Sequence, residues 1–457
     1  MNTILRIPEV AAINAPDGLL RIPDQVDVPL TSRIKRVIDC PGFRRLGRIS
    51  QLGLVSQVYP GATHSRFEHS LGVYRMALLF LRQLSSRREF TEIVDEEQAT
   101  AFILAALLHD IGHYPFCHPI EDLGSKSFPE HESLASRYIA GPESMIGAVI
   151  REEFQIEPER VVRLIERRKE NEAERLLCSM LSGPIDVDKM DYLYRDSLHA
   201  GVPYGRNFDA PRLISSLCLN RSRDRLAITD KGRTAAELLV FARYVMFSEV
   251  YWHHAVRSAT AMFQRAVFEM IDKPEHACDS ALYSCSESEF SRHLLNLVES
   301  ENDDCRPLIE GIFGSQRKLY KRLASYSCLE NEEVYRLLAR RPYPWLVQCS
   351  NQLARLLSAL TGLEIGATSV LIDAPPVGLE VQFDVDVYYK RTESFRPLGE
   401  VSPVVNTLAR KQFDDLVKQV RVFVDPEFTP ALRDEDVTEA VREAVALTVT
   451  STASGSN

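Results

Sequence analysis

Apolar and polar positions along the 457-residue chain fall into three regimes. Over residues 1–30 short apolar stretches are broken by Pro8, Pro16, Gly18, Pro23 and Pro29, a pattern of strands and loops with a turn at 14–18. From about residue 31 to 341 apolar positions recur at helical spacing, most clearly over 71–84 and 97–109. Residues 101–108 are apolar on every face, so that helix belongs inside a core, with Gly112 as its predicted stop. Near Gly366 the period changes. Residues 379–387 alternate strictly between apolar and polar, 419–424 are strand-like, and a helix is predicted over 402–416. The expected fold is mainly α: N-terminal strands and loops over 1–30, a helical core over 31–341 and a small α+β lobe over 366–430. An acidic helix over 434–446 and a disordered tail over 447–457 complete the predicted organisation.

Composition narrows the classes. With 45% hydrophobic and 26% charged residues the chain is ordinary globular protein. No apolar run reaches the roughly 18 residues that a membrane span needs, and the opening MNTILRIPEV lacks the basic flank and apolar stretch of a secretory signal. Nine cysteines without a CxxC pair point to a reducing, cytoplasmic setting rather than to disulfides or a zinc ribbon. A net charge of -10 argues against a general nucleic-acid coat protein while leaving room for a local basic pocket. There is no GxxxxGK[ST] loop, no strand–GxGxxG–helix unit and no GxSxG elbow, so P-loop, dinucleotide and serine-hydrolase chemistry lack support.

Histidine carries the chemical signal. Six of the eleven, His64, His69, His109, His113, His118 and His131, fall between positions 64 and 131. Neutral imidazole binds divalent metals and imidazolium donates to oxyanions, so such a cluster at the end of a core helix points to metal or phosphate chemistry. His109-Asp110 offers two ligands side by side, and His69 and Asp188 are the candidates to complete the set. Two imidazoles and two carboxylates suit Mn, Fe, Ni, Zn or Co, or Mg with water filling the remainder. Asp188 and Asp196 lie on roughly one helix face with Tyr192 between them, while Asp186 is the best N-cap of that helix. Residues 33–48 are rich in Arg and Lys, a pattern more often a solvated face or partner surface. Arg66 and Lys189 gain weight from the ligands beside them, because such donors next to a metal suit a polyphosphate. Cys117, between Phe116 and His118, reads as packing.

In their fuller wording these blocks resemble a known family. His69, His109-Asp110 and Asp188 resemble the metal quartet of the HD-domain phosphohydrolases. The stretches 38–46, 51–53, 59–73 (YPGATHSRFEHSLGV), 109–118 (HDIGHYPFCH) and 185–192 (IDVDKMDY) are similar to the dNTP triphosphohydrolases, which include the vertebrate SAM-and-HD-domain enzyme and bacterial dGTPase-like proteins. The similarity runs from about residue 10 to 270, with a weaker echo over 380–425.

The resemblance implies an HD-domain helical core and hydrolysis of a dNTP to deoxynucleoside and triphosphate. It assigns the metal to His69, His109, Asp110 and Asp188. His131 becomes the acid for the leaving oxygen, oriented by Glu121 or Asp122. His113 and His118 would line the triphosphate, with His118, Arg66 and Lys189 neutralising it. Gln51 and Asp196 would bond the sugar 3′-hydroxyl, Tyr251 would pack under the deoxyribose beside Tyr192, and Arg243 would meet the distal phosphates. Homo-oligomers, as dimers or higher, are implied too. The chain departs from the vertebrate pattern at Arg44 and Gly47, where that enzyme binds its activating nucleotide, but keeps Asp39; a regulatory nucleotide at Arg44, Arg45 or Arg48 is compatible with the residues. The competing expectations are an HD phosphohydrolase acting on another nucleotide or a nucleic-acid end, and a nucleotide sensor with a dead site.

Overall fold

The computed structural model describes residues 3–15, 18–125, 128–271, 280–300, 303–376, 384–410, 417–432 and 437–454. Its architecture is mainly helical. Helix α1 (Arg66–Leu84) starts where the Ser65 hydroxyl accepts from the Glu68 amide, and helix α2 (Glu96–Leu108) starts at a capping box between Asp95 and Gln98. Every residue of α2 from Ala99 to Leu108 is buried, as an all-apolar helix requires. The short helix α3 (Cys117–Glu121) and helix α4 (His131–Ala140) follow, and α5 (Val187–Ala200) is capped by Asp186 and ended by Gly201 at φ +71°. Helix α6 (Arg233–Met246) runs into a π turn over Phe247–Tyr251, and α7 (His254–Met270) leads away toward the C-terminal half. Helices α1, α2 and α5 pack together, so the segment after α2 rests on a rigid base.

Strands sit at the periphery. β1 (Leu19–Ile22) and β2 (Val26–Pro29) form an antiparallel hairpin, preceded by short helical turns such as Pro8–Ala11 rather than by further strands. The predicted turn at 14–18 lies partly outside the described residues. The antiparallel pair β3 (Leu217–Leu219) and β4 (Leu226–Thr229) is extended by β7 (Asp386–Tyr389) and β8 (Ser394–Pro397). β7 joins β4 in parallel register, with Ile228 opposite Val387. A second sheet has β9 (Val420–Val424) at its centre, antiparallel to β5 (Lys321–Tyr326) and to β6 (Val370–Asp373). Helices α8 (Tyr343–Thr361) and α9 (Val437–Ser454) cover this sheet.

Three sequence expectations meet a different arrangement. The strands of 366–430 do not form one lobe: β6 and β9 take β5 from the segment read as helical core, while β7 and β8 add to the core's own hairpin. Backbone pairing is non-local, so local periodicity finds a strand without finding its sheet. Residues 447–454 continue α9 instead of forming a disordered tail, because Val441, Ala444, Val445 and Thr448 are buried against α8. The alternating stretch 379–387 yields strand only from Asp386, its residues 379–383 lying outside the described set, as do 411–416 of the predicted helix over 402–416 and 434–436 of the acidic one. All cysteines among the described residues carry free thiols, and no helix there is long and apolar enough to cross a membrane.

Candidate active site

His69, on the first turn of α1, His109, just after α2, and Asp188, on the first turn of α5, bring one ligand atom each within 4.8 Å of one another, and Asp110 lies alongside both histidines. The Nε2 atoms of His69 and His109 are 3.2 Å apart. Asp188 Oδ1 lies 3.1 Å from His69 Nε2 and 3.7 Å from His109 Nε2, and Asp110 Oδ1 lies 3.3 Å from His109 Nε2. Bonds of about 2.1 Å to one ion put neighbouring donors about 3–3.4 Å apart, so the spacing fits a single divalent cation.

The tautomers make the same point. His109 Nδ1 is 2.9 Å from the Ala106 carbonyl and His69 Nδ1 is 2.9 Å from Asp191 Oδ2. Both partners are acceptors, so both Nδ1 atoms carry hydrogen and the lone pairs of both Nε2 atoms face each other. Such a pair repels unless a cation or proton lies between them. Burial opposes charge on His69, but Asp188, Asp191 and Asp110 push its pKa up to about 10. Burial would raise Asp110 and Asp188; the surrounding histidines and cations hold both below the usual carboxylate range. The site opens on the Asp188 side, whose side chain is 31% exposed against 1% for His69.

A buried network stands behind His69. Asp191 binds Arg195 through both oxygens, and Arg195 also donates to Glu68, which takes a further contact from His199. Burial would lift Asp191, but Arg195 and His69 bring its pKa down to about 2. Gly72 makes this approach feasible: a Cβ there would sit 1.9 Å from Asp191 Oδ1. No role for Asp191, Arg195, Glu68 or Gly72 was expected from the sequence. The i,i+4 spacing of Asp191 and Arg195 was the available signal.

The acidic and basic groups expected beyond the quartet fall into two sets. On one side His131 Nδ1 is 2.8 Å from Glu121 Oε1, which also accepts from the His131 amide. Glu121 is therefore the carboxylate that meets His131, while Asp122 is the C-cap of α3. Burial would raise Glu121, but His118 and His131 hold it far below its ordinary value. The His113 ring lies 3.9 Å from the His131 ring, and its Nδ1 is 3.2 Å from Asp110 Oδ1, so it spans the gap between the two groups. Burial and the Arg66 guanidinium keep His113 neutral. His118 is mostly exposed at the rim. Arg66 is buried and donates to Asp110 Oδ2 at 2.8 Å, and Lys189 donates to Asp186 at 2.6 Å, so each is already partnered with a carboxylate.

On the other side, Tyr251 ends the π turn and donates to Asp196 Oδ2 at 2.6 Å, while Asp196 Oδ1 meets His64 Nε2 at 2.9 Å. Burial and Asp196 push the Tyr251 hydroxyl well up, so it stays a donor. Tyr192 and Arg243 lie close enough to Tyr251 to act on it electrostatically. Gln51 Oε1 is buried without a hydrogen-bond partner among the described residues.

Two placements depend on local backbone. A Cβ on Gly112 would meet the His131 carbonyl at 1.9 Å, so this glycine is needed for the approach of α4 and not to end α2, which stops at Leu108. Phe116 precedes α3 at φ 55°, left-handed for a bulky aromatic, and packs against Phe263, Phe290 and Phe313. The basic run 33–48 is divided: Lys35, Arg36, Arg44 and Arg48 are exposed, whereas Arg33 binds buried Glu9 and Arg45 donates to the Ile111 and His113 carbonyls at 2.6 and 2.7 Å. Arg45 thereby pins the segment that carries Asp110 and His113.

Residues 66–196 match the HD domain family, and residues 208–453 match the HD associated region. Over 426 residues, 91% of this chain and 81% of the other, the chain is 29% identical to the uncharacterized protein MJ1154 of Methanocaldococcus jannaschii. It is 31% identical over 233 residues, 45% of its length, to deoxynucleoside triphosphate triphosphohydrolase SAMHD1 of Homo sapiens, of which it spans only 37%. Among solved structures it is similar to a hypothetical protein from Aquifex aeolicus, with a TM-score of 0.69 and 26% identity over 91% of this chain and 98% of that one.

Proposed function

The chain belongs to the HD-domain family of metal-dependent phosphohydrolases, and from there we propose that it hydrolyses deoxynucleoside triphosphates to deoxynucleoside and inorganic triphosphate. The metal ligands are His69, His109, Asp110 and Asp188. A divalent ion held by them supplies Lewis acidity toward a phosphoryl oxygen and activates water near neutral pH. Two imidazole nitrogens and two carboxylates accept Mn, Fe, Ni, Zn or Co, or Mg with added water.

The protein's own groups do the rest. Glu121 holds His131 by Nδ1, leaving Nε2 to protonate the departing 5′-oxygen, a poor leaving group without that proton. Neutral His113 lines the space between the ligands and the acid. Arg66 fixes Asp110, and His118, Lys189 and Arg243 surround the triphosphate with positive charge and donors. At the sugar end Gln51 and Asp196 take the 3′-hydroxyl. Tyr251, held by Asp196, forms the floor on which a 2′-hydroxyl would overlap, at a cost of about 1–3 kcal/mol or more in a rigid pocket. Dimers or larger homo-oligomers in the cytoplasm are part of the same reading.

The observation that carries it is that Asp196, on the same helix as Asp188 and two turns along, is in contact at 2.6 Å with Tyr251 at the end of the π turn. A phosphoesterase without a nucleoside to read has no use for that pair. The test is to incubate the full chain with Mn2+ and each dNTP and NTP, and to separate the products. Triphosphate and deoxynucleoside are expected from dNTPs, with ribonucleotides excluded. Nucleoside monophosphate or phosphate as the main product would overturn the reaction. Ribonucleotides should enter Tyr251→Ala; unchanged discrimination would move the sugar gate elsewhere.

A further inference from the structure

Cys117 has no part in the reaction described above, yet it is the first residue of α3 and sits beside two of the site's histidines. One ligand atom each from His113, Cys117 and His131 lie within 4.8 Å of one another. The Cys117 side chain packs in a buried apolar cluster with Tyr114, Phe116 and Ile120, as expected, and also borders these two imidazoles.

Two further observations point to a ligand. His113 is 3% exposed; its Nδ1 lies 3.2 Å from Asp110 Oδ1 without the geometry of a hydrogen bond, and its Nε2 has no hydrogen-bond partner among the described residues. A polar ring buried in this way is costly unless something takes the lone pair. His131 is backed through Nδ1 by Glu121, as His69 is backed by Asp191, and a carboxylate behind the imidazole is the usual setting of a metal-binding histidine. None of the four quartet residues belongs to this group. Its donors are also softer: two imidazoles and a thiol select Zn2+ over Mn2+ or Mg2+.

We propose that His113, Cys117 and His131 form a second cation site that takes a thiophilic divalent ion such as Zn2+ and, by capturing His131, inhibits hydrolysis. Zn–S and Zn–N bonds of about 2.3 and 2.0–2.1 Å bring such ligands to about 3.5 Å of each other. The three side chains therefore close by about 1 Å on binding, with water in the fourth position. As the zinc–sulfur bond forms, the thiol proton is released to solvent. With its Nε2 lone pair on zinc and Nδ1 held by Glu121, His131 has no proton to give. The inhibition rests on His131 being the proton donor; the binding does not.

The experiment uses the full chain, wild type and Cys117→Ala, each tested with Co2+ and Zn2+. Wild type should show the near-ultraviolet thiolate-to-cobalt absorption band, and it should retain one more equivalent of zinc after gel filtration than Cys117→Ala. With Mn2+ in excess, zinc should inhibit dNTP hydrolysis by wild type, and Cys117→Ala should need at least about tenfold more zinc. Its turnover without zinc should be unchanged. Equal zinc content and no cobalt–thiolate band would overturn the site. Zinc that activates, or that inhibits both proteins equally, would overturn its inhibitory role. The absorption and stoichiometry need no substrate, so they remain decisive if dNTPs are not hydrolysed.

Discussion

The two ends of the site are built differently. At the ligand end His69 is wedged in a buried chain of acids and bases, with Asp191, Arg195, Glu68 and His199 drawn from two long packed helices. At the acid end His131 has one carboxylate behind it, on a helix of five residues next to a rim histidine that is 62% exposed. Holding an ion means gathering negative charge in a dry place, and that charge must be fixed before the ion arrives. Giving away a proton means contact with water and substrate, where a single orienting bond is enough. The two ends should therefore fail in different ways when perturbed.

The largest expected effect separates them at once. His131→Ala should lower turnover by about 10²–10⁴-fold while leaving the unfolding midpoint and the Mn2+ held by the quartet unchanged. Loss of that Mn2+ from the variant would mean that the two ends are not distinct. Asp191→Ala should do the reverse. Removing one partner of a buried ion pair costs about 3–5 kcal/mol, and losing the carboxylate behind a ligating histidine weakens metal binding about 10–100-fold. Denaturant unfolding and metal titration measure both, and a normal midpoint would show that the network does not brace the site.

Acidity sharpens the contrast. Asp191, depressed from 3.8 to about 2, contributes roughly 2 kcal/mol that is present above pH 4 and lost as pH falls toward 2. His69, raised from 6.5 to about 10, works in the opposite sense: its contribution is full below pH 6.5 and disappears as pH rises to 10. Chelated protein should thus lose stability across pH 6.5–10, and Mn2+ should reduce the loss by standing where the proton stood. A chelated unfolding midpoint that is flat with pH would contradict this account of His69. The smallest effect belongs to the surface. Arg36→Ala, which breaks surface pairs with Glu152 and Glu153, should leave the unfolding midpoint nearly unchanged and serves as the control.

How legible the site was depended on the kind of residue. The quartet could be singled out from short ordered motifs, because ligands must be of particular types, whereas His131, with Glu121 or Asp122, and Tyr251 were singled out only through the family resemblance. Glu68, Asp191, Arg195 and Gly72 were not found, although each lies within a few residues of a quartet member. Charged residues on a helix usually face water, and nothing local says that Arg195 points inward. Arg45 was misjudged for the same reason: in a run of basic residues the side chain that caps two buried carbonyls looks like its neighbours. Conversely, Gly112 was identified as special but for the wrong cause, since its need for a missing Cβ comes from His131 in another helix.

The residue order by itself determined the helical class, the all-apolar α2, the position of β9, and the small set of histidines and aspartates able to bind an ion. These follow from periodicity and from chemistry, which are properties of neighbours in the chain. Tertiary structure alone decided that β5 pairs with β9 and β7 with β4, that residues 447–454 remain helical against α8, and that a thiol lies among two imidazoles. Each depends on surfaces brought together from distant positions, where burial and pairing rather than local preference set the free energy.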